Sequence, residues 1–232
     1  MTDRQSRYPH VNTRMYRFVR GLFRLLASLL LKKITVEGAE NIPTQGAFVL
    51  TINHLSFLDS PLLFITVPRI VYFLAGEKYR HHIFAPIMRV AGSIWVQRGE
   101  VDRNALRQAA NALEDGYCLA IAIEGTRSRT GALIQGKTGA AYIATRSNVP
   151  IVPVVVWATE QIAPAWKRLR RPEAHIRIGK MFHLPQGHAR SKELDTYTDD
   201  IMITMASMLP EDYRGVYSNH PLLEEKLPNK DN

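Results

Sequence analysis

A single cysteine, Cys118, occurs in 232 residues. An internal disulfide is excluded, and a reducing, cytoplasmic setting fits. Cys118 opens an apolar run to Ile123, where a thiol is most simply a small buried side chain. No Cys/His cluster has zinc spacing, and the adjacent His81 and His82 point in different directions, so no metal site is expected. No repeat, low-complexity tract or G-x-S-x-G elbow appears; the last absence weighs against a serine hydrolase built on Ser56. Acid is scarce at the start of the chain. Residues 1–33 hold eight basic side chains and only Asp3 against them, which places +7 of the total charge of +9 there. The rest is nearly neutral, so nucleic acid is not the expected partner.

What those first residues do contain is amphipathic. Met15, Phe18, Val19, Leu22, Leu25, Leu26 and Leu29 recur at three and four, with Arg17, Arg20 and Arg24 on another face. The largely apolar stretch Leu22 to Leu31 covers only ~15 Å at about 1.5 Å per residue, half of a ~30 Å hydrocarbon core. Arg24 within it and Lys32-Lys33 after it argue against a signal peptide. Residues 14–33 are therefore expected to form a helix lying on a membrane surface, arginines toward anionic headgroups; packing on its own domain is the competing reading.

At 46% hydrophobic the chain is long enough to bury a sizeable core. Apolar strand candidates at 34–37, 47–52, 70–74, 93–97, 117–123, 149–156 and 174–179 alternate with helical stretches at 84–90, 101–115, 137–147 and 194–209. This pattern predicts an α/β fold with a mostly parallel central sheet. The expected divisions are an N-terminal basic amphipathic segment (1–35), an α/β domain (36–215) and a polar tail (216–232), loosely ordered from Pro221.

The chemistry gathers where strands end. Asn53-His54-Leu55-Ser56-Phe57-Leu58-Asp59 follows the apolar run 47–52, in the position where open α/β sheets bind ligands. Residues five apart do not share a helix face, so His54 and Asp59 meet only if a helix begins between them. Pro61 in a first turn and Ser56 or Asp59 as cap supply that start. An imidazole held in one tautomer by a carboxylate can take a proton from an alcohol. In Glu124-Gly125-Thr126-Arg127, after the run 117–123, Gly125 permits close backbone approach, Thr126 adds a hydroxyl, and Arg127 offers a bidentate donor to phosphate. Glu124 can orient an arginine, and Lys137 can supply a second positive charge. Parallel strands would bring His54, Arg98, Glu124 and Arg127 to one crevice.

Four stretches in order resemble the glycerolipid acyltransferase family, of the 1-acylglycerol-3-phosphate acyltransferase type. Asn53–Asp59 is similar to its NHxxxxD block, residues 92–98 to its second block, Glu124–Ser128 to EGTRS, and Val149–Val154 to VPIVPV. The resemblance covers about residues 37–156. Ala122-Ile123 stand where the family usually has Phe-Pro. It implies transfer of a fatty acyl group from acyl-CoA or acyl carrier protein to a lysophospholipid hydroxyl, with no cofactor beyond that co-substrate. His54 and Asp59 would be the catalytic pair; Arg98, Glu124, Gly125, Thr126 and Arg127 would hold the acceptor phosphate. The implied location is the cytoplasmic face of the cell membrane. An acyltransferase for another lysophospholipid or glycerol-3-phosphate-type acceptor, and a non-catalytic membrane scaffold, are the alternatives.

Overall fold

A computed structural model describes residues 7–97, 99, 101–187 and 189–227. Seven strands form one sheet: β1 (Lys33–Glu37), β2 (Phe48–Ile52), β3 (Val71–Gly76), β4 (Ser93–Val96), β5 (Cys118–Ala122), β6 (Ile151–Trp157) and β7 (Glu173–Ile178), in spatial order β1-β7-β6-β2-β5-β3-β4. All neighbours pair parallel except β6 and β7, so five central strands run one way and the β1-β7 pair runs the other. The helices are α1 (Thr13–Leu30), α2 (Asp59–Thr66), α3 (Ala85–Val90), α4 (Arg103–Glu114), α5 (Gly139–Ser147), α6 (Ile162–Lys167), α7 (Ser191–Met208) and α8 (Leu223–Lys226).

The central strands read as continuous apolar runs because both faces are covered. Along β2, Phe48, Leu50 and Ile52 enter a core shared with Tyr16 of α1 and Leu63 of α2. Val49 points the other way, into a core with α4, α5 and α7. Cys118 faces the first of these cores, is fully buried, and its thiol is pushed up to about 12 by desolvation.

Helix α1 docks on the domain through a narrow face. Tyr16 and Val19 are buried, Tyr16 meets Phe64 at 4.8 Å, and its hydroxyl accepts from the Val71 N–H while donating to the Arg69 carbonyl. Arg20 and Arg24 do not point at headgroups. They donate to the carbonyls of Val67 (3.1 Å) and Ile65 (3.0 Å), satisfying the open end of α2, where the helix dipole attracts cations. The carboxyl end of α1 is capped in turn: Trp166 Nε1 donates to Leu30, and Arg171 to Ser28 and Leu31. The basic run 167–171 thus contributes Arg171 to a helix terminus. The opposite face of α1 is bare, with Phe18 67% and Leu29 61% exposed and Leu22, Leu25 and Leu26 beside them. Among the described residues no helix is long and apolar enough to cross a membrane. Beyond Pro221, where loose order is expected, α8 packs on α7 and buries Leu223.

Candidate active site

The carboxyl ends of β5, β2 and β6 lie side by side, and the loops leaving them meet. Asn53 directly follows β2 and is fully buried; its side-chain amide donates to the Val156 carbonyl (2.9 Å) and accepts from the Val156 N–H (2.8 Å), locking the end of β2 to β6. His54 follows, and Asp59 opens α2 with Pro61 inside the first turn.

His54 Nδ1 lies 2.8 Å from Asp59 Oδ2. The same oxygen accepts from the backbone N–H groups of Leu55 (2.7 Å) and Ser56 (2.7 Å), and Oδ1 accepts from the Thr159 hydroxyl at 2.6 Å. Neither Ser56 nor Asp59 caps α2 in the ordinary sense; the helix starts from Leu58, and Asp59 turns back into its own loop. With two obligatory N–H donors on Oδ2, the His54–Asp59 contact is best made by an Nδ1–H donating to a carboxylate. That leaves Nε2 with its lone pair. Asp59 is 1% exposed and the His54 side chain 16%, so the imidazole alone of the pair is open to a substrate.

The Glu124–Ser128 stretch divides between two tasks. Glu124 does not orient an arginine: it is 1% exposed, Oε2 accepting from the His54 N–H (2.7 Å) and Oε1 from the Ile134 N–H (2.8 Å). The Ser128 N–H donates to the His54 carbonyl at 2.7 Å. The main chain of His54 is thus gripped on both sides by the loop after β5. Burial pushes the Glu124 carboxyl up to about 7, against the pull of its two N–H donors. Between these ends, Thr126 and Arg127 are exposed. Gly125 sits at φ 68°, and a Cβ there would lie 2.9 Å from Lys137 Cδ and 3.5 Å from its Nζ, so the lysine side chain crosses the turn. Its backbone N–H donates to Ile123, fixing that approach.

His54, Asp59 and Glu124 are therefore brought together, and Gly125 with Lys137; Arg98 lies outside the described residues. The strand before it, β4, stands at the sheet edge with β3 between it and β5. Thr159 was not among the expected site residues. The rule that pointed to the loops after Ile52 and Ile123 applies equally to the end of β6, and would have reached it.

A sequence model described as Acyltransferase matches residues 33–157. A 1-acyl-sn-glycerol-3-phosphate acyltransferase of Cocos nucifera is 27% identical over 216 residues, covering 88% of this chain and 66% of the relative. Another from Chlamydomonas reinhardtii is 27% identical, covering 85% and 59%. The chain thus spans roughly six tenths of the length of these two curated relatives. The crystal structure of the 1-acyl-sn-glycerophosphate (LPA) acyltransferase PlsC from Thermotoga maritima superposes with a TM-score of 0.64 at 27% identity, over 80% of this chain and 76% of that one. Since the family match runs from the first residue of β1 to the last of β6, more than half the chain and both loops that hold His54 and Glu124, this chain belongs to the Acyltransferase family.

Proposed function

We propose that the protein transfers a fatty acyl group from acyl-CoA or acyl carrier protein to the sn-2 hydroxyl of 1-acylglycerol 3-phosphate, giving phosphatidic acid. The observation that carries the reading is an imidazole whose Nδ1 is committed to a buried carboxylate while its ring keeps a partly exposed edge. The names of the relatives above support the choice of acceptor.

In this reading Nε2 of His54 takes the proton of the acceptor hydroxyl as its oxygen attacks the thioester carbonyl. The carbon–sulfur bond then breaks, and the proton passes from His54 to the departing thiolate. Asp59, fully engaged by donors, keeps the imidazole in its tautomer and offsets its transient positive charge. Arg127, with Thr126 and Lys137 at the same turn, binds the acceptor's phosphate; Glu124 faces away from it and serves His54 instead. Phe57, three residues after His54, and Phe84, both exposed with ring centroids 5.8 Å apart, offer an apolar surface for an acyl chain. The bare face of α1 lies in the lipid surface from which an amphiphilic acceptor is drawn, at the cytoplasmic face of the cell membrane.

The test is product identification. Protein incubated with palmitoyl-CoA and a panel of lysophospholipids should yield phosphatidic acid from lysophosphatidic acid, and Arg127→Ala should raise KM for that acceptor about tenfold or more. Equal use of lysophosphatidylcholine, or an unchanged KM in the variant, would overturn the acceptor assignment.

A further inference from the structure

We infer that Thr159 is a positioning residue for the His54–Asp59 pair, so that the exit of β6 belongs to the reacting apparatus; this rests on the acyl-transfer reading above. Oδ2 of Asp59 is held entirely from its own loop, by His54 Nδ1 and the N–H groups of Leu55 and Ser56. Oδ1 is held from elsewhere, by a hydroxyl 100 positions along the chain at 2.6 Å. Thr159 is 0% and Asp59 1% exposed, so water has no access to replace that donor. Rotation about the Cβ–Cγ bond of Asp59 would carry Oδ2 and its partner His54 Nδ1 out of place together, and without a donor Oδ1 would be free to begin that rotation. The hydroxyl removes that freedom.

The backbone around Thr159 is arranged to deliver this contact. The Asn53–Val156 pair fixes the end of β6 immediately before His54 in space. Two residues later Ala158 adopts φ 63°, a left-handed conformation that costs a non-glycine residue roughly 1–2 kcal/mol, and turns the chain so that Thr159 opens a short 3-10 turn under Asp59. Asn53 precedes the pair and Thr159 closes on its far member, so β6 holds the loop at both ends.

The test uses steady-state kinetics of the full chain with lysophosphatidic acid and palmitoyl-CoA. Thr159→Val, which removes the hydroxyl at nearly constant volume, should lower kcat about 10- to 100-fold. KM for both substrates should stay within about twofold. Thr159→Ser should return kcat to within about threefold of the original protein, since it restores the donor. In an Asp59→Asn background Thr159→Val should add no further loss, because the two act through one contact. Unchanged kcat in Thr159→Val, a serine variant no better than the valine one, or a full additional loss in the Asp59→Asn background would each overturn the inference. Should the valine variant not fold, Thr159→Cys replaces it, with kcat expected at least about fivefold below that of the serine variant; equal rates would overturn the inference. Normal, His54-dependent turnover alongside an unaffected Thr159→Val defeats this inference alone. No turnover by the unsubstituted protein defeats the acyl-transfer reading and the inference with it.

Discussion

At Glu124 burial and hydrogen bonding pull in opposite directions, and burial prevails, raising its carboxyl from an ordinary value of 4.5 to about 7. The folded chain therefore keeps this proton at pH values where the unfolded chain has released it. The stabilisation so gained is complete below about 4.5 and is lost as pH rises through 7, on the order of 3 kcal/mol in all. Glu124→Gln, which cannot ionise, should lack this dependence: urea titrations should show the unsubstituted protein losing stability relative to the variant between pH 5 and 8. A constant difference would contradict the buried, proton-holding carboxyl. One position on, Gly125→Ala meets both a left-handed φ and the lysine side chain; it should cost roughly 1–2 kcal/mol and raise the acceptor KM by displacing Lys137, measured by thermal melts and kinetics. At this scale the spacing of His54 and Asp59 revealed their pairing, because only a helix start between them lets five-apart residues meet. The inward turn of Glu124 was not legible, since its partners are backbone N–H groups, which no side-chain pattern announces.

Among the elements, α1 separates two roles that its sequence runs together. Periodicity marks an apolar and a basic face but says nothing of what each meets, and here two of the arginines meet the carbonyls at the end of α2 rather than lipid. Arg20→Ala with Arg24→Ala should destabilise the fold by roughly 2 kcal/mol, seen in denaturant titrations. Leu25→Ser with Leu29→Ser, on the bare face, should leave the melting temperature within about 2 °C and weaken binding to phosphatidylglycerol vesicles at least tenfold. Destabilisation by the leucine pair would mean that this face is covered by protein. The strands and their mostly parallel pairing were legible in the alternation of apolar runs with helical stretches, because buried parallel strands must be apolar on both faces. The reversal at β7 was not: a strand's direction leaves no mark on its composition, and the alternating burial of Glu173–Ile178 fits either sense.

Over the whole molecule, the order β6-β2-β5 brings three exits together although residues 54, 124 and 159 are far apart in the chain. Insertion of β5 between β2 and β3 does this: it sets the Glu124 loop beside His54, while β6 on the other flank supplies Thr159. A parallel sheet collects its loops at one edge, which made the meeting of His54 and Glu124 predictable from the strands alone. Which strands would be neighbours was not, because pairing depends on packing across the whole core. In the proposed reaction this meeting point performs acyl transfer with His54 as base. That role is tested most directly by thiol release from palmitoyl-CoA, with and without lysophosphatidic acid, by the unsubstituted protein beside His54→Ala. The account predicts release that requires the acceptor and falls at least about 1,000-fold in the variant, with an unchanged melting temperature. Acceptor-independent release, or normal release by His54→Ala, would contradict it.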